Sequence, residues 1–142
     1  MNWILKKFDD LNLLELYAIL KLRNEVFIIE QNCIYPDLDN KDQDAWHFMG
    51  IDDNKLVAYT RILPPGISYS EPAIGRVVTA PAIRKSGLGK ELMLRSIEIC
   101  ENLFGKVPVS LGAQVYLIKF YESLGFFIAG DMYLEDGIEH IR

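Results

Sequence analysis

The fold is decided by the stretch Ile74-Gly75-Arg76-Val77-Val78-Thr79 and, after Pro81, by Arg84-Lys85-Ser86-Gly87-Leu88-Gly89-Lys90. The first part predicts an apolar strand, and the second predicts a glycine loop that opens a helix. The glycines let a ligand approach the main chain, because they carry no Cβ. The N–H groups at a helix start attract anions, and basic residues of the loop lie around them. The stretch therefore predicts a phosphate-binding turn between a strand and a helix.

Two better-known phosphate loops do not fit this turn. A Walker A loop has a glycine five positions before its Gly-Lys pair and Ser or Thr after it. This chain has Arg84 and Glu91 at those positions. A dinucleotide-binding turn has another glycine three residues after Gly89, where this chain has Leu92. A glycine-rich turn that caps a packed helix is the alternative to a ligand site.

The pattern Arg84-x-x-Gly87-x-Gly89, placed one short turn after an apolar strand, resembles motif A of the GNAT N-acetyltransferases. A second stretch, Phe120-Tyr121-Glu122-Ser123-Leu124-Gly125-Phe126, resembles motif B of the same family. The motifs occur in the family's order, which is more specific than either motif alone. Further segments, among them 26–33, 56–63, 111–114 and 135–141, resemble the ElaA-type branch of the family. The resemblance therefore covers nearly the whole chain.

The resemblance implies a binding site for acetyl-CoA. In this family the amides of motif A hold the pyrophosphate, and the preceding strand binds the pantetheine arm. The cofactor-binding residues implied for this chain are Val77, Val78, Thr79, Arg84, Lys85, Ser86, Gly87, Leu88, Gly89, Lys90, Gln114, Phe120 and Tyr121. Gln114 stands where the family often has Asn, and it keeps the amide on a longer side chain.

The resemblance also implies that Tyr121 is the general acid. Its phenol would give a proton to the CoA thiolate as it leaves, which suits ordinary pKa values of about 10 for a phenol and 8.5 for a thiol. Without the resemblance, Tyr121 is interpreted as a core tyrosine on an amphipathic helix that runs from Gln114 to Leu124.

Acetyl transfer to an amine needs a group that takes a proton from the nitrogen. Glu30 and His140 are the candidates for this base or for a contact with the substrate. Glu71 and His47 also carry suitable side chains, and no spacing singles out any of the four. His47 lies on a predicted strand, which favours a packed or surface histidine over a catalytic one.

The order of the predicted elements is strand, helices, three strands, helix, strand, helix and two strands. This order predicts one α/β (mixed α+β) domain over residues 1–142. The resemblance implies the GNAT acyl-CoA N-acyltransferase fold. In that fold a central, mostly antiparallel sheet is flanked by helices and splayed between strands 4 and 5.

Local patterns place several of these elements. Asn12 and Glu15 predict a capping box at a helix start. The buried face of that helix is expected to contain Leu13, Leu16, Tyr17, Leu20 and Phe27. A hairpin is predicted from strands 46–51 and 56–63, and another strand is predicted over 107–113.

Composition excludes several classes of partner. The net charge of −5 disfavours nucleic acid. No apolar run approaches the ~20 residues needed to span a bilayer, so no membrane partner is expected. The N-terminus lacks the order of a secretory signal, which predicts a cytoplasmic location. Cys33 and Cys100 are expected to be buried free thiols.

Residues 37–44 form an aspartate-rich loop. A calcium loop is excluded, because Lys41, Asp42 and Phe48 stand where an oxygen ligand, a glycine and a glutamate are needed. Histidines and cysteines are too few and scattered for a zinc site, so no metal is predicted. The loop is expected to be solvated, and the alternative is that Asp37 and Asp39 attract a cationic amine.

These observations predict an acetyl-CoA-dependent N-acyltransferase. The acceptor would be a primary amine of a small molecule, a peptide or a protein, which attacks the thioester directly in a ternary complex. The alternative is a non-catalytic domain that senses CoA or acyl-CoA, and the presence of Tyr121 favours the enzyme. A homodimer is an assembly that the sequence allows.

Overall fold

A computed structural model describes residues 1–83, 87–111, 113–114, 132–135 and 138–141 of the chain. Its strands are β1 (Asn2–Lys7), β2 (Trp46–Asp52), β3 (Lys55–Leu63), β4 (Ala73–Thr79), β5 (Ser110–Leu111), β6 (Ala113–Gln114), β7 (Met132–Glu135) and β8 (Ile138–Ile141). Its long helices are α1 (Leu13–Arg23), which continues as a π-helical segment (Asn24–Glu30), and α2 (Leu88–Phe104). Short 3₁₀ turns lie at Phe8–Asp10, Asp42–Asp44 and Pro81–Ile83. The body of the helix predicted after Gln114 and the residues directly after that helix lie outside the described residues.

These strands form two sheets. In the first, β1, β2, β3 and β4 are neighbours in that order and each is antiparallel to the next, while β5 joins β4 in parallel. Leu5 lies opposite Phe48, and Phe48 lies opposite Thr60. The second sheet has the order β6-β8-β7 and is antiparallel. The predicted α/β fold with a mostly antiparallel central sheet is confirmed.

The first sheet opens between β4 and β5. In the described part of the chain, their parallel ladder consists of the pairs Ala73–Ser110 and Ile74–Leu111, whereas β4 runs on to Thr79. Beyond this ladder the chain enters β6, which pairs with β8 in the second sheet. A gap therefore begins beside Ile74, and the predicted splay between strands 4 and 5 is confirmed.

Helices α2 and α1 cover opposite faces of the first sheet. One core cluster contains buried residues of α2 together with Phe48 of β2. The other contains buried residues of α1 together with Met49, the next residue of β2. Ala58 and Tyr59 of β3 divide in the same way between the two clusters. This alternation is what a strand buried on both faces requires.

A bulge interrupts β4 at Arg76. Two β4 residues, Arg76 and Val77, lie opposite the single β3 residue Thr60, and pairing resumes on either side. Arg76 has a φ of 48°, in the left-handed region. Because a bulge bends its strand, β4 turns just beyond the point where β5 leaves it.

The capping box predicted for α1 is confirmed. The amide of Glu15 donates to Oδ1 of Asn12 at 2.8 Å, and the amide of Asn12 donates to Oε1 of Glu15 at 2.9 Å. Nζ of Lys6 lies 3.0 Å from the Glu15 carboxylate. The start of α1 is therefore tied to β1 as well as capped.

The buried face predicted for α1 is wrong at its start. Leu13 and Tyr17 are 85% and 71% exposed, and the buried positions are Ile19, Leu22 and Arg23. The rest of the predicted face is partly buried. The apolar pattern predicted the wrong buried positions because α1 buries its second half, and that half includes a charged side chain.

The predicted hairpin is confirmed as β2 and β3. Asp53 and Asn54 form its two-residue turn with φ values of 51° and 61°. Both values are left-handed, as a type I′ turn requires.

The strand predicted over 107–113 is shorter than expected. It begins at Ser110, and Val107 is 44% exposed. Gln114, predicted as the first residue of a helix, lies in β6 instead. Pairing with His140 of β8 explains this difference, since it supplies a strand partner that the local sequence does not reveal.

Burial of the two cysteines agrees with the sequence. Cys33 and Cys100 are buried and form no disulfide with each other, and burial raises the pKa of the Cys100 thiol to about 12. No helix within the described ranges is both long and apolar enough to cross a bilayer. No group of three or more His, Cys, Asp or Glu placed to hold a metal ion occurs among those same residues.

Candidate functional site

Helix α2 begins at a glycine that provides no cap. Gly87 precedes the helix with a φ of 81° and has no side chain to accept from the amides of the first turn. The first intrahelical bond runs from the amide of Glu91 to the carbonyl of Gly87 at 3.2 Å. The amides of Leu88, Gly89 and Lys90 therefore have no acceptor within the helix. Together with the positive end of the helix dipole they form a surface suited to an anion.

The main chain at this turn is accessible. A Cβ atom added at Gly87 or Gly89 would meet no heavy atom within 4 Å. Leu88 is 8% exposed and belongs to the α2 core cluster, so it anchors the turn, whereas Lys90 is exposed. Three of the predicted cofactor contacts come directly before this turn and lie outside the described residues: Arg84, Lys85 and Ser86.

The end of β4 supplies a second set of main-chain groups. Val78 is 3% exposed with its side chain in the α1 cluster, so this side chain is not available to a ligand. Val77 is partly buried against the α2 cluster. No described strand pairs with Val77 or Val78 on the edge away from β3, because the β5 ladder stops at Ile74. This edge, which continues to Thr79, lines the gap in the sheet.

The other predicted cofactor contacts lie later in the chain. Gln114 is in β6, opposite His140 of β8, and His140 also lies opposite Tyr133 of β7. The structure thus brings Gln114 and His140 together in the second sheet. Phe120 and Tyr121 lie outside the described residues, and their roles stay predictions.

The carboxylates predicted as candidate bases lie on different elements. Glu30 is exposed at the end of the π-helical segment. Glu71 precedes β4 and accepts hydrogen bonds from the hydroxyls of Ser70, at 2.8 Å, and Ser110. Glu71 therefore ties the segment before β4 to β5.

His47 is buried and hydrogen-bonded at both ring nitrogens. Nε2 donates to the carbonyl of Asp42 at 2.9 Å, because a carbonyl oxygen can only accept, and Nδ1 accepts from the hydroxyl of Tyr59 at 2.6 Å. Burial, aided by the charges of Arg23 and Arg61, lowers the pKa of the imidazole although Asp42 opposes this. His47 is therefore a packed histidine, as predicted, and its ring is closed to a substrate.

Sequence reasoning missed a cluster of buried and half-buried charges beside β4. This arginine–aspartate cluster consists of Arg23 of α1, Arg61 of β3, Arg76 of β4, and Asp37, Asp39 and Asp42 of the segment before β2. The side chains of Arg23 and Arg61 are 0% and 5% exposed. The available signal was an arginine inside a mostly apolar predicted strand, as at Arg61.

The cluster is held by short, paired contacts. Oδ1 of Asp42 lies 2.9 Å from Nη1 of Arg23 and 3.0 Å from Nη1 of Arg61. Asp39 accepts two bonds from Arg61, at 2.7 and 2.8 Å. Burial by itself would raise the pKa of Asp39, but the bonds and charge of Arg61 and the amide of Lys41 lower it to about 2. These carboxylates are therefore ionised and neutralised in place.

The expectation of a solvated acidic loop is wrong. Asp37, Asp39 and Asp42 are matched by the three guanidinium groups of the cluster, and Asp42 is 6% exposed. The alternative that Asp37 and Asp39 attract a cationic amine also loses its basis, because their charge is already compensated. What this segment offers instead is a rigid connection to β3 and β4.

Comparison with known proteins identifies the family. A family described as "Acetyltransferase (GNAT) domain" matches residues 17–142. Protein ElaA of Escherichia coli (strain K12) is 41% identical over 143 residues, which cover 99% of this chain and 94% of that protein. The UPF0039 protein sll0451 of Synechocystis is 39% identical over 142 residues, covering 99% and 92% of the two chains.

Solved structures agree with this match. A crystal structure of an acyl-CoA N-acyltransferase from Pseudomonas aeruginosa superposes with a TM-score of 0.93 at 43% identity, and covers 99% of this chain and 97% of that one. The crystal structure of Escherichia coli ElaA gives a TM-score of 0.91 at 40% identity, with 99% and 95% covered. The chain belongs to the GNAT acyltransferase family, in its ElaA-like branch.

Proposed function

We propose that this protein is an acetyl-CoA-dependent N-acyltransferase that acetylates a primary amine of a small molecule, a peptide or a protein. One observation carries the proposal: an accessible helix start and an open strand edge lie on the same strand–turn–helix unit. β4 leaves β5 at Ile74, and α2 begins at Leu88 with an uncapped first turn. A long donor with phosphates at one end and amides along its arm matches both features.

The donor would bind through main-chain groups. The amides of Leu88, Gly89 and Lys90 suit a pyrophosphate, because they have no helical acceptor and Gly87 and Gly89 leave the space above them open. Arg84, Lys85 and Ser86 would add contacts to the same phosphates, as the family resemblance implies.

The arm of the donor would lie along the gap in the sheet. The backbone of Val77, Val78 and Thr79 would bind the pantetheine amides, with Gln114 and Phe120 as further contacts. A strand edge is well suited to this, since it offers alternating donors and acceptors.

The reaction is a direct transfer. The neutral amine nitrogen attacks the thioester carbon, the C–N bond forms, and the C–S bond breaks. An amide near Val78 would polarise the carbonyl, and Tyr121 would give its proton to the departing thiolate. Glu30 or His140 would take the proton that the amine loses. No metal ion takes part in this scheme.

The test is release of thiol from acetyl-CoA in the presence of a panel of amines. Wild type should turn over with at least one amine, and Tyr121→Phe should lose roughly 10²–10⁴-fold in kcat if the phenol is the general acid. Tyr17→Phe is the matched control. It removes the same phenolic hydroxyl from α1, where Tyr17 is 71% exposed. It should behave as wild type.

The outcomes separate the two functions that the sequence allows. Tight CoA binding without turnover on any amine would support the non-catalytic sensor. Failure to bind CoA would remove the donor assignment altogether. We place the enzyme in the cytoplasm, where acyl-CoA is available, and size-exclusion chromatography with light scattering would test for a homodimer.

A further inference from the structure

Arg76 occupies an unusual backbone position for its residue type. It is the first of the two β4 residues that oppose Thr60, and its φ of 48° is left-handed. In bulges of this kind the left-handed residue is ordinarily glycine, since a Cβ strains the conformation. Contacts with the surrounding structure must therefore hold Arg76 in place.

The Arg76 side chain is fixed by the segment before β2. Its Nη2 donates to the carbonyl of Asp37 at 3.0 Å and lies 3.4 Å from Oδ2 of Asp39. Its Nε lies 2.9 Å from Oδ1 of Asp37, in an ion pair whose angle is too bent for a hydrogen bond. The guanidinium also lies over the ring of Tyr35, 5.8 Å from its centroid. Asp37 is held in turn by Nε of Arg23 at 2.9 Å.

The bulge decides which way the end of β4 faces. Ile74 and Val77 pack toward α2, whereas Val78 packs toward α1. In a regular strand the alternation would put Val78 on the same face as Ile74 and Val77 on the other. The extra residue therefore exchanges the two faces. The N–H and C=O groups that point into the gap are exchanged with them.

We propose that Arg76 is a positioning residue for the acyl donor, because its pairing with Asp37 locks the bulge that sets which backbone groups of Val77 and Val78 face the gap. This inference rests on the function proposed above, and it adds the contact that fixes the shape of the strand edge to which the donor would bind. Arg76 takes no part in the chemistry. It acts through β4, and it joins the segment before β2 to the strand that binds the donor.

Three variants of Arg76 separate the side chain from the backbone. Arg76→Gly removes the guanidinium and relieves the left-handed strain, Arg76→Ala removes the same contacts and keeps the strain, and Arg76→Lys keeps a charge for Asp37. We expect the Gly and Ala variants to lose about 10- to 100-fold in CoA affinity and in kcat/KM, as a misplacement of about 1 Å does. The Lys variant should recover part of the loss. Calorimetric titration with CoA and thiol release measure the two quantities.

Arg61→Lys is the matched control. Arg61 belongs to the same cluster, but it contacts Asp39 and Asp42 and makes no ion pair with Asp37. The variant should lower the Tm and leave CoA affinity within about twofold, because the ion pair and hydrogen bond between Arg76 and Asp37 stay in place although both arginines contact Asp39. An equal loss of affinity in Arg61→Lys and Arg76→Gly would overturn the proposal, because general loosening of the cluster would then explain both.

A readout on the free protein keeps this inference distinct from the proposed function. In Arg76→Gly, the backbone amide hydrogens of Val77 and Val78 should exchange faster than in wild type, while Arg61→Lys should leave their exchange rates unchanged. If wild type binds no CoA, the proposed function fails and its donor-positioning role fails with it, whereas these exchange rates still decide whether Arg76 locks the bulge. If wild type and Arg76→Gly bind CoA equally well, the positioning role is wrong and the proposed function stands.

Discussion

Arg23 is a cation with no exposed surface, and its lost hydration is offset by the groups around it. Its Nε and Nη1 lie 2.9 Å from carboxylate oxygens of Asp37 and Asp42. The ring of Tyr59 lies 5.9 Å from its Cζ. Because Arg23→Ala would leave these carboxylates without this partner, we expect the free energy of unfolding to fall by about 3–5 kcal/mol. Urea denaturation followed by circular dichroism measures the loss.

Lys21→Ala is the control on the same helix. Lys21 pairs with Glu25 at 4.0 Å, and its side chain is 66% exposed. Its removal should change the free energy of unfolding by less than about 0.5 kcal/mol, as is usual for surface pairs. Equal effects of the two substitutions would mean that the arginine–aspartate cluster stabilises the fold no more than a surface contact does.

His47 should make the protein less stable in mild acid. The pKa of the imidazole in the folded protein is below the ordinary value of about 6.5, and burial is the largest cause of this shift. The unfolded chain therefore takes up a proton at a higher pH than the folded chain. Stability is fully present above about pH 6.5 and is lost as the pH falls toward the folded pKa. We expect the urea midpoint to decrease from about pH 7 to pH 5.

A pair of substitutions assigns this decrease to one ring. His47→Gln should flatten the pH dependence, because glutamine does not titrate, and His140→Gln, which keeps the buried ring of His47, is the comparison. Midpoints measured across the same pH range compare the three proteins. If His140→Gln alone flattened the curve, the buried ring would not be its origin.

Among the elements, α1 depends on its cap. Asn12 and Glu15 exchange hydrogen bonds of 2.8 and 2.9 Å across the first turn. Asn12→Ala should lower the free energy of unfolding by about 1 kcal/mol, because an amide of the first turn loses its acceptor. Asn12→Asp should stay close to wild type, since aspartate caps equally well. Chemical denaturation of both variants tests this, and an alanine variant as stable as wild type would contradict it.

At the first turn of α2, we expect the same substitution to stabilise the free protein and to weaken ligand binding. Gly89 is helical, and an added Cβ would meet nothing within 4 Å. Gly89→Ala should therefore stabilise the free protein by up to about 1 kcal/mol, because alanine is the better helix former. The same methyl would stand between the main chain and a pyrophosphate, so CoA should bind more weakly. Thermal unfolding and CoA titration measure the opposite effects.

Gly87→Ala provides the contrast to this variant. Gly87 has a φ of 81°, so a Cβ is strained there whatever the space around it. The substitution should lower the free energy of unfolding by about 1–2 kcal/mol. If Gly89→Ala stabilised the protein and bound CoA as tightly as wild type, the pyrophosphate could not lie on this turn.

Elements with local signals could be predicted from the sequence. The cap of α1 and the glycine start of α2 each depend on residues within a few positions of one another. The arginine–aspartate cluster could not, because its ion pairs join distant positions, such as Arg76 with Asp37. The bulge could not be predicted from the sequence for a related reason. Arginine gives no turn signal, and its left-handed backbone follows from contacts with another segment.

At the scale of the whole molecule, few backbone pairs join β5 to the four antiparallel strands β1 to β4 of the first sheet. In the described chain the first sheet meets β5 through two residue pairs, whereas β2 and β3 are paired along their length. A donor that binds along β4 and at the start of α2 would add contacts where the sheet has few. Its binding should therefore stabilise the folded chain as a whole.

This expectation can be put in numbers. A ligand that binds only the folded state stabilises it by about 2.7 kcal/mol at 100 times its Kd. For a domain of this size we expect CoA at that concentration to raise the Tm by roughly 5–10 °C. The rise should grow with the logarithm of CoA concentration, and inorganic phosphate at equal concentration should not reproduce it, because phosphate reaches the helix start without lining the gap. Scanning fluorimetry over a CoA series provides the measurement, and a Tm independent of CoA would remove the donor on which the proposed reaction depends.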